Sequence, residues 1–163
     1  MTESHTNAVT YTCRSACAED APTLAAFNLA MALETEGLAL EPATVRKGVD
    51  AVFADTSLAH YFVAEHAGRV VGQLMITYEW SDWRNAHIWW IQSVYVHPDH
   101  RRRGVFRQLY HHVQKQAQAA GNVAAIRLYV ERDNTAAQRV YADLGFTDTH
   151  YQVYESRTET NNQ

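Results

Sequence analysis

A basic loop follows a strand-like apolar run in the second half of the chain. The run Val94–Val96 leads to the triplet Arg101–Arg103, and Gly104 then opens a segment with helical periodicity. Glycine permits backbone conformations that turn successive N–H groups toward one point, and a helix N-terminus adds partial positive charge. Together with guanidinium groups, such N–H groups bind phosphate. A bare basic triplet is more often a solvated turn, but its place between a strand and a helix favours an anion site.

A second motif lies further along, between Glu131 and Phe146. Asn134 is suited to cap a helix that Gly145 ends, and Ala137 and Tyr141 lie on nearby faces of that helix. A structural reading makes Tyr141 a core aromatic residue.

Aromatic and acidic residues gather around one predicted hairpin, formed by Tyr78–Asn85 and Trp89–Ser93. Tryptophans usually fill cores, so a packed hairpin is one reading. The other is a cage for a cationic amine, built by charge pairing and cation–π attraction. The residues of that cage would be Glu79, Asp82, Trp83 and Trp90, closed by Glu34 and Glu36. Strand alternation predicts one face with Trp90, Gln92, Val94 and Val96, and another with Ile91, Ser93 and Tyr95.

Length and composition indicate one ordinary globular domain. The chain has 163 residues and a net charge of −4, which disfavours nucleic acid as the main partner. No apolar run approaches a membrane span, and we expect a cytoplasmic protein with free thiols at Cys13 and Cys17. The pair His97-x-x-His100 lacks further ligands at zinc-site spacing, so we expect no metal.

Periodicity and turn signals predict the order β-α-α-β-β-β-α-β-α-β, between flexible tails at 1–9 and 157–163 and within one domain at 10–156. The predicted strands are 10–14, 61–65, 70–80, 87–96, 125–130 and 151–155. The predicted helices are 20–33 (capped by Asp20), 42–53, 104–120 and 134–144. A strand, a crossover helix and a further strand imply a parallel pair. The fold class is therefore a mixed antiparallel and parallel α/β sheet, with the basic loop at the carboxyl end of a strand, where ligands bind.

On these residues the sequence resembles the GCN5-related N-acetyltransferase (GNAT) superfamily. Arg101-x-x-Gly104-x-Phe106 is similar to the family's Arg/Gln-x-x-Gly-x-Gly/Ala pyrophosphate loop, with Phe106 where a small residue is usual. The motif from Asn134 to Phe146 is similar to its second signature. The chain most resembles the diamine branch (spermidine/spermine and thialysine-type), which has a glutamate where this chain has Gln92.

The resemblance implies that acetyl-CoA is the acyl donor and that Tyr141 is the general acid. Gln92 can orient an amine but cannot accept its proton, so Glu79, Asp82, Glu34 or a water chain would act as base. The residues implied for acetyl-CoA are Val94, Tyr95, Val96, Arg101, Arg102, Arg103, Gly104, Val105, Phe106, Arg107, Asn134, Ala137 and Tyr141.

The expected activity is direct transfer of an acetyl group to a primary amine of a small cationic molecule. Two alternatives stay open: acetylation of a protein N-terminus or lysine, and a module that senses acyl-CoA without turnover. The resemblance also suggests a homodimer.

Overall fold

The computed structural model describes residues 9–158. Its strands and α-helices are β1 (Thr12–Ser15), α1 (Ala21–Glu36), α2 (Pro42–Ala54), β2 (His60–His66), β3 (Arg69–Ser81), β4 (Ala86–Val96), α3 (Val105–Ala120), β5 (Val123–Leu128) and α4 (Thr135–Asp143). Short 3-10 turns at Ala18–Asp20 and Pro98–His100 precede α1 and α3. The predicted tails lie outside the described residues except for Val9 and residues 157–158.

Two compact units divide the described residues. The first ends at Tyr129 and contains all five strands and α1 to α3, and the second begins at Val130 and contains α4. The predicted domain boundaries, 10 and 156, stay a prediction.

One sheet organises the first unit, with the strand order β1-β2-β3-β4-β5. Its first three pairings are antiparallel, whereas β4 and β5 are parallel and are joined by α3. A parallel pair needs such a crossover, because the chain must return to the same end of the sheet before the second strand starts. The predicted mixed α/β fold is confirmed.

Apolar side chains cover both faces of this sheet. On one face α1 and α2 pack on β2, where Leu24, Val49 and Val63 are almost fully buried. On the other face α3 presents a stripe of buried residues four positions apart, from Val105 through Leu109 to Val113. The sheet that carries β4 and β5 is therefore held from both sides.

The predicted strand at 151–155 is wrong. Among the described residues of the second unit, 151–158 form neither helix nor strand, and Tyr151, Val153 and Tyr154 are exposed. Apolar alternation is a local signal, but a strand forms only where a neighbour supplies ladder hydrogen bonds. No described residue of this unit provides that neighbour.

The start and end of α1 also differ from the prediction. Asp20 lies at the N-cap position, but its carboxylate accepts from Arg14 at 2.7 Å and from the Cys17 N–H at 2.8 Å instead of capping the helix. At the other end α1 continues through Glu34 to Glu36, and Gly37 ends it in the left-handed conformation with φ 62. Glu34 therefore lies in the last turn of α1, and the helix sets the direction of its side chain.

Candidate active site

The pairing between the parallel strands β4 and β5, at one edge of the sheet, ends midway along β4. Pairing between β4 and β5 runs from His87↔Val123 to Ile91↔Leu128, and β5 ends there. Strand β4 continues to Val96, five residues beyond the last pair. The carboxyl half of β4 thus has an open edge on the side of β5, and the backbone groups of an extended ligand arm can bind such an edge.

A β-bulge in β4 lies at the start of this open edge. The register with β3 moves from Met75↔Gln92 to Gln73↔Tyr95, so Ser93 and Val94 together face one residue of β3. Ser93 has φ 52, in the left-handed region that a non-glycine residue rarely adopts.

The bulge overturns the predicted faces of β4. Tyr95 packs on Phe27 of α1, with ring centroids 4.8 Å apart, and its register partner is Gln73. It therefore shares a face with Gln92 rather than with Ile91. The prediction assumed strict alternation, and one extra residue in a strand reverses every side chain that follows it.

The basic loop leads into the N-terminus of α3. Gly104 is the N-cap residue with φ 79, and Arg102 also has positive φ, at 60. A left-handed residue followed by helical Val105 turns successive N–H groups to one side, as in anion-binding nests. Gly104 has no side chain that could cap the first turn of α3. The backbone N–H groups of that turn are therefore suited to bind an external anion.

The Phe106 ring contacts the next turn of its own helix. It is half-buried and stacks on Tyr110 with centroids 6.4 Å apart. The backbone at Phe106 therefore remains a part of the first turn, as the resemblance requires.

Arg101 forms an ion pair and a backbone hydrogen bond within the protein. Its Nη2 donates to Oε2 of Glu34 at 2.6 Å, and its Nε donates to the Val96 carbonyl at 2.9 Å. The Tyr95 hydroxyl donates to Oε1 of the same carboxylate at 3.0 Å. Hydrogen bonding from the Arg101 guanidinium, followed by that from Tyr95, lowers the pKa of Glu34. The end of α1 is thereby tied to the start of the basic loop.

This tie brings together residues predicted for two different roles. Glu34 was expected in the amine pocket and Arg101 at the pyrophosphate, yet each engages the other. The Val96 carbonyl, expected to face the cofactor arm, accepts from Arg101. Glu36 is exposed at the last turn of α1.

Polar and aromatic residues line the same sheet face beside the opening. Gln92 Nε2 donates to Thr77 Oγ1 at 2.6 Å, and Trp90 Nε1 donates to Glu79 Oε2 at 2.6 Å. The other oxygen of Glu79 lies 3.6 Å from Nη1 of Arg127. Tyr129 stacks on Trp90 with centroids 4.6 Å apart. Glu79 and Trp90 are thus joined directly, and Gln92 lies two residues beyond Trp90 on the same strand.

The hairpin tip lies far from Gln92. Asp82 accepts from the N–H of Trp83 at 3.0 Å, and the Trp83 side chain is 91% exposed. The tip begins beyond Ser81↔Ala86, and the six residue-to-residue steps from Ala86 to Gln92 span about 20 Å of strand. The reading of a packed aromatic hairpin does not hold for Trp80 and Trp83, because both are exposed.

The second unit carries the other predicted motif. Asn134 Oδ1 accepts from the Ala137 N–H at 3.1 Å, which confirms the predicted cap of α4. Burial raises the pKa of the Tyr141 phenol, so this hydroxyl keeps its proton at neutral pH. A protonated hydroxyl is what a general acid requires.

Metal-binding clusters and membrane-spanning helices are both absent from residues 9–158. These residues contain no group of three or more His, Cys, Asp or Glu side chains arranged to hold a metal ion. None of their helices is both long and apolar enough to cross a membrane.

These features fit the donor that the resemblance implies. An extended arm needs an open strand edge, and a pyrophosphate needs clustered N–H donors with positive charge nearby. The open half of β4 supplies the first, and the left-handed turn at Gly104 with exposed Arg102 and Arg103 supplies the second.

Comparisons with known proteins agree with this geometry. Residues 27–146 match the model of the Acetyltransferase (GNAT) family. A possible acetyltransferase from Clostridium difficile 630 has a structure with a TM-score of 0.86 and 39% identity, covering 92% of this chain and 99% of that chain. A predicted acetyltransferase from Clostridium acetobutylicum, solved with acetyl-CoA, has a TM-score of 0.73 at 18% identity, covering 94% of this chain and 100% of that chain, and shows the fold alone.

Among curated proteins, mycothiol acetyltransferase of Mycolicibacterium gilvum (strain PYR-GCK) is 33% identical over 103 residues. The match covers 57% of this chain and 32% of that protein, so the chain spans about a third of the length of this relative.

The fold and the open edge of β4 fit an acyl-CoA-dependent transferase. The chain belongs to the acetyltransferase (GNAT) family, whose enzymes are N-acetyltransferases with acetyl-CoA as donor. The predicted GNAT superfamily, the predicted N-acetyltransferase class and acetyl-CoA as the family's donor are confirmed.

Several site residues escaped sequence reasoning. Thr77 orients Gln92, while Arg127 and Tyr129 contact Trp90. Gln73, buried in the middle of an apolar strand, was also missed. Gln73 and Arg127 carried a usable signal, because a polar side chain within an apolar strand needs a buried partner.

Proposed function

We propose that this protein transfers an acetyl group from acetyl-CoA to a primary amine of a small cationic molecule, directly within a ternary complex. The observation that carries the proposal is the parting of β4 and β5 after Ile91↔Leu128, next to the N-terminus of α3. Members of the family take the acetyl group from the thioester of acetyl-CoA. The open edge of β4 is suited to bind the extended arm that carries this thioester.

The acceptor amine would lie on the sheet face that carries Gln92. With Nε2 donating to Thr77, the Gln92 amide has Oε1 to accept an N–H from the amine. Glu79, already bonded to Trp90, supplies negative charge beside aromatic rings and attracts the ammonium form. The amine must lose a proton before attack, and Glu79 is the proposed acceptor of it, directly or through water.

The transfer step forms one bond and breaks another. The neutral amine nitrogen attacks the thioester carbonyl, and the C–S bond breaks. The Tyr141 hydroxyl protonates the departing sulfur, and the proton that the nitrogen releases as the amide forms passes through water to the Tyr141 phenolate. The Val94 N–H, on the open edge of β4, would bind the carbonyl oxygen as negative charge develops on it. Arg102, Arg103 and the first turn of α3 would hold the pyrophosphate.

A thiol-release assay with an amine panel and acetyl-CoA tests the proposal. The panel contains diamines, monoamines, amino acids and short peptides, so it separates a small-amine enzyme from a peptide acetyltransferase. Turnover of small amines is the expected result. Turnover of peptides alone would favour the protein-directed alternative, and acetyl-CoA binding without any turnover would favour a sensor.

Tyr141→Phe tests the acid within the same assay. We expect turnover to fall about 10²–10⁴-fold with little change in acetyl-CoA affinity, the range for loss of a general acid. Tyr154→Phe is the matched control, because Tyr154 is 89% exposed. Equal turnover of the two variants would remove Tyr141 from the mechanism.

Two further points are also proposed. We expect a homodimer, which sedimentation analysis tests, and a cytoplasmic location, which cell fractionation tests.

A further inference from the structure

A buried polar network lies beneath the bulge of β4. Gln73 is fully buried in β3, and its Nε2 donates to Asn28 Oδ1 at 2.7 Å and to the Ser93 carbonyl at 3.1 Å. Asn28 in turn donates to the Tyr61 hydroxyl at 3.1 Å. Three side chains thus connect α1, β2 and β3 to one peptide of β4.

The peptide that Gln73 holds is the irregular one. Leu74 of β3 faces both Ser93 and Val94, and the positive φ of Ser93 rotates its peptide out of the regular ladder. A carbonyl that leaves the ladder loses its strand partner and needs another donor. The Gln73 amide is that donor.

Gln73 also carries an unfavourable group. Its Oε1 is buried and has no hydrogen-bond partner among the described residues. An unpartnered buried amide oxygen lowers stability, and a methionine of similar length would fill the space without that oxygen. The contact with the Ser93 carbonyl is a reason for an amide at this position.

We infer that Gln73 is a positioning residue for acetyl transfer: it fixes the Ser93–Val94 peptide so that the Val94 N–H meets the thioester carbonyl. The inference rests on the proposed role of Val94. An N–H held in place before the reaction stabilises developing charge without reorganisation, whereas a mobile one has to be ordered first. Gln73 acts through the backbone and does not touch the reacting atoms.

Gln73→Met is the test, because it removes the donor and keeps the volume. We expect kcat to fall about 10–100-fold, less than the full loss of an oxyanion donor, since the N–H is displaced rather than deleted. The Kd for acetyl-CoA, measured by calorimetry, should stay within about twofold, because the N–H works mainly on the transition state.

Val49→Ala is the control for lost stability. Val49 lies in α2, is 2% exposed and belongs to the core on the same face of the sheet. Truncating Val49 should lower the unfolding temperature, and the truncated side chain is not part of the bulge. We expect kcat close to wild type for Val49→Ala at a temperature where both variants are folded.

The amide NMR signals of Ser93 and Val94 give a readout that does not depend on turnover. In Gln73→Met these two signals should shift or broaden, while those of α2 stay in place.

The outcomes separate the two claims. Wild-type kcat in Gln73→Met, or an equal loss in both variants, would overturn the inference and leave the proposed function standing. Absence of turnover by the wild-type protein with every amine would defeat the proposed function and this inference with it.

Discussion

The start of α3 packs on Gly72 of β3. Replacing Gly72 by alanine tests whether this contact positions the basic loop that is proposed to bind acetyl-CoA. A Cβ atom on Gly72 would lie 2.7 Å from Cγ1 of Val105 and 3.6 Å from Cδ1 of Leu109. Carbon atoms pack at about 3.5–4.0 Å, so Gly72→Ala requires a displacement of about 1 Å. Val105 is β-branched with one strongly preferred rotamer in a helix, so the helix itself must move.

The displacement should affect both stability and binding. Extra volume in a well-packed core costs about 1–3 kcal/mol. The moved residue is the first of α3, whose N–H groups are the proposed pyrophosphate donors. Losing good geometry at one such charged contact costs about 1.5 kcal/mol, which is about a tenfold rise in the Kd for acetyl-CoA.

Calorimetry with acetyl-CoA and denaturant unfolding measure the two effects. Gly48→Ala is the control, because a Cβ on this exposed residue of α2 meets no atom within 4 Å. It should leave Kd unchanged and stabilise the helix by up to about 1 kcal/mol.

The double variant Gly72→Ala/Val105→Ala provides the rescue. Removing Cγ1 makes room for the new methyl group, so the double variant should bind acetyl-CoA more tightly than Gly72→Ala alone. Wild-type affinity in Gly72→Ala, or no recovery in the double variant, would refute the idea that this contact places the loop.

Three further predictions concern charged groups. Arg103→Glu should weaken acetyl-CoA binding at low ionic strength and less so at high salt, because Arg103 is exposed; titrations at two salt concentrations check this, and a salt-independent Kd would contradict it. Glu34→Gln should raise the Kd for acetyl-CoA while leaving the KM for the amine unchanged, because Glu34 holds Arg101; the opposite pattern in steady-state kinetics would return Glu34 to the amine pocket. Asp20→Asn should lower stability at pH 7 by about 1–3 kcal/mol, because hydrogen bonding to Arg14 lowers the pKa of Asp20. That contribution is present above the unfolded pKa of about 3.9 and is lost as the pH falls through the lower folded value, so unfolding at several pH values should show the difference shrinking in acid.

Local patterns in the sequence were sufficient for the fold class and the cofactor. The stripe of α3, the cap at Asn134 and the glycine before Val105 depend on residues a few positions apart, and each was predicted. The order of elements then limits the topology, because a strand, helix and strand in one sheet make a parallel pair. Acetyl-CoA was predicted as the donor from two short motifs, whose residues also lie only a few positions apart.

Contacts between distant residues decided the rest. Glu34 and Arg101 are far apart in sequence, and only the packing of α1 beside β4 lets them pair. At the bulge the Ser93 carbonyl accepts from the buried amide of Gln73 on the neighbouring strand, and the bulge reversed the predicted face of Tyr95. The segment at 151–155 has the pattern of a strand, yet no described residue of its unit pairs with it.

The amino-acid sequence by itself therefore predicted the four helices, the five strands of the sheet and acetyl-CoA as the donor, since helix periodicity, caps and glycine turns act within one segment. The tertiary structure alone decided which side chains share the acceptor face, because register, bulges and helix packing join residues from separate segments.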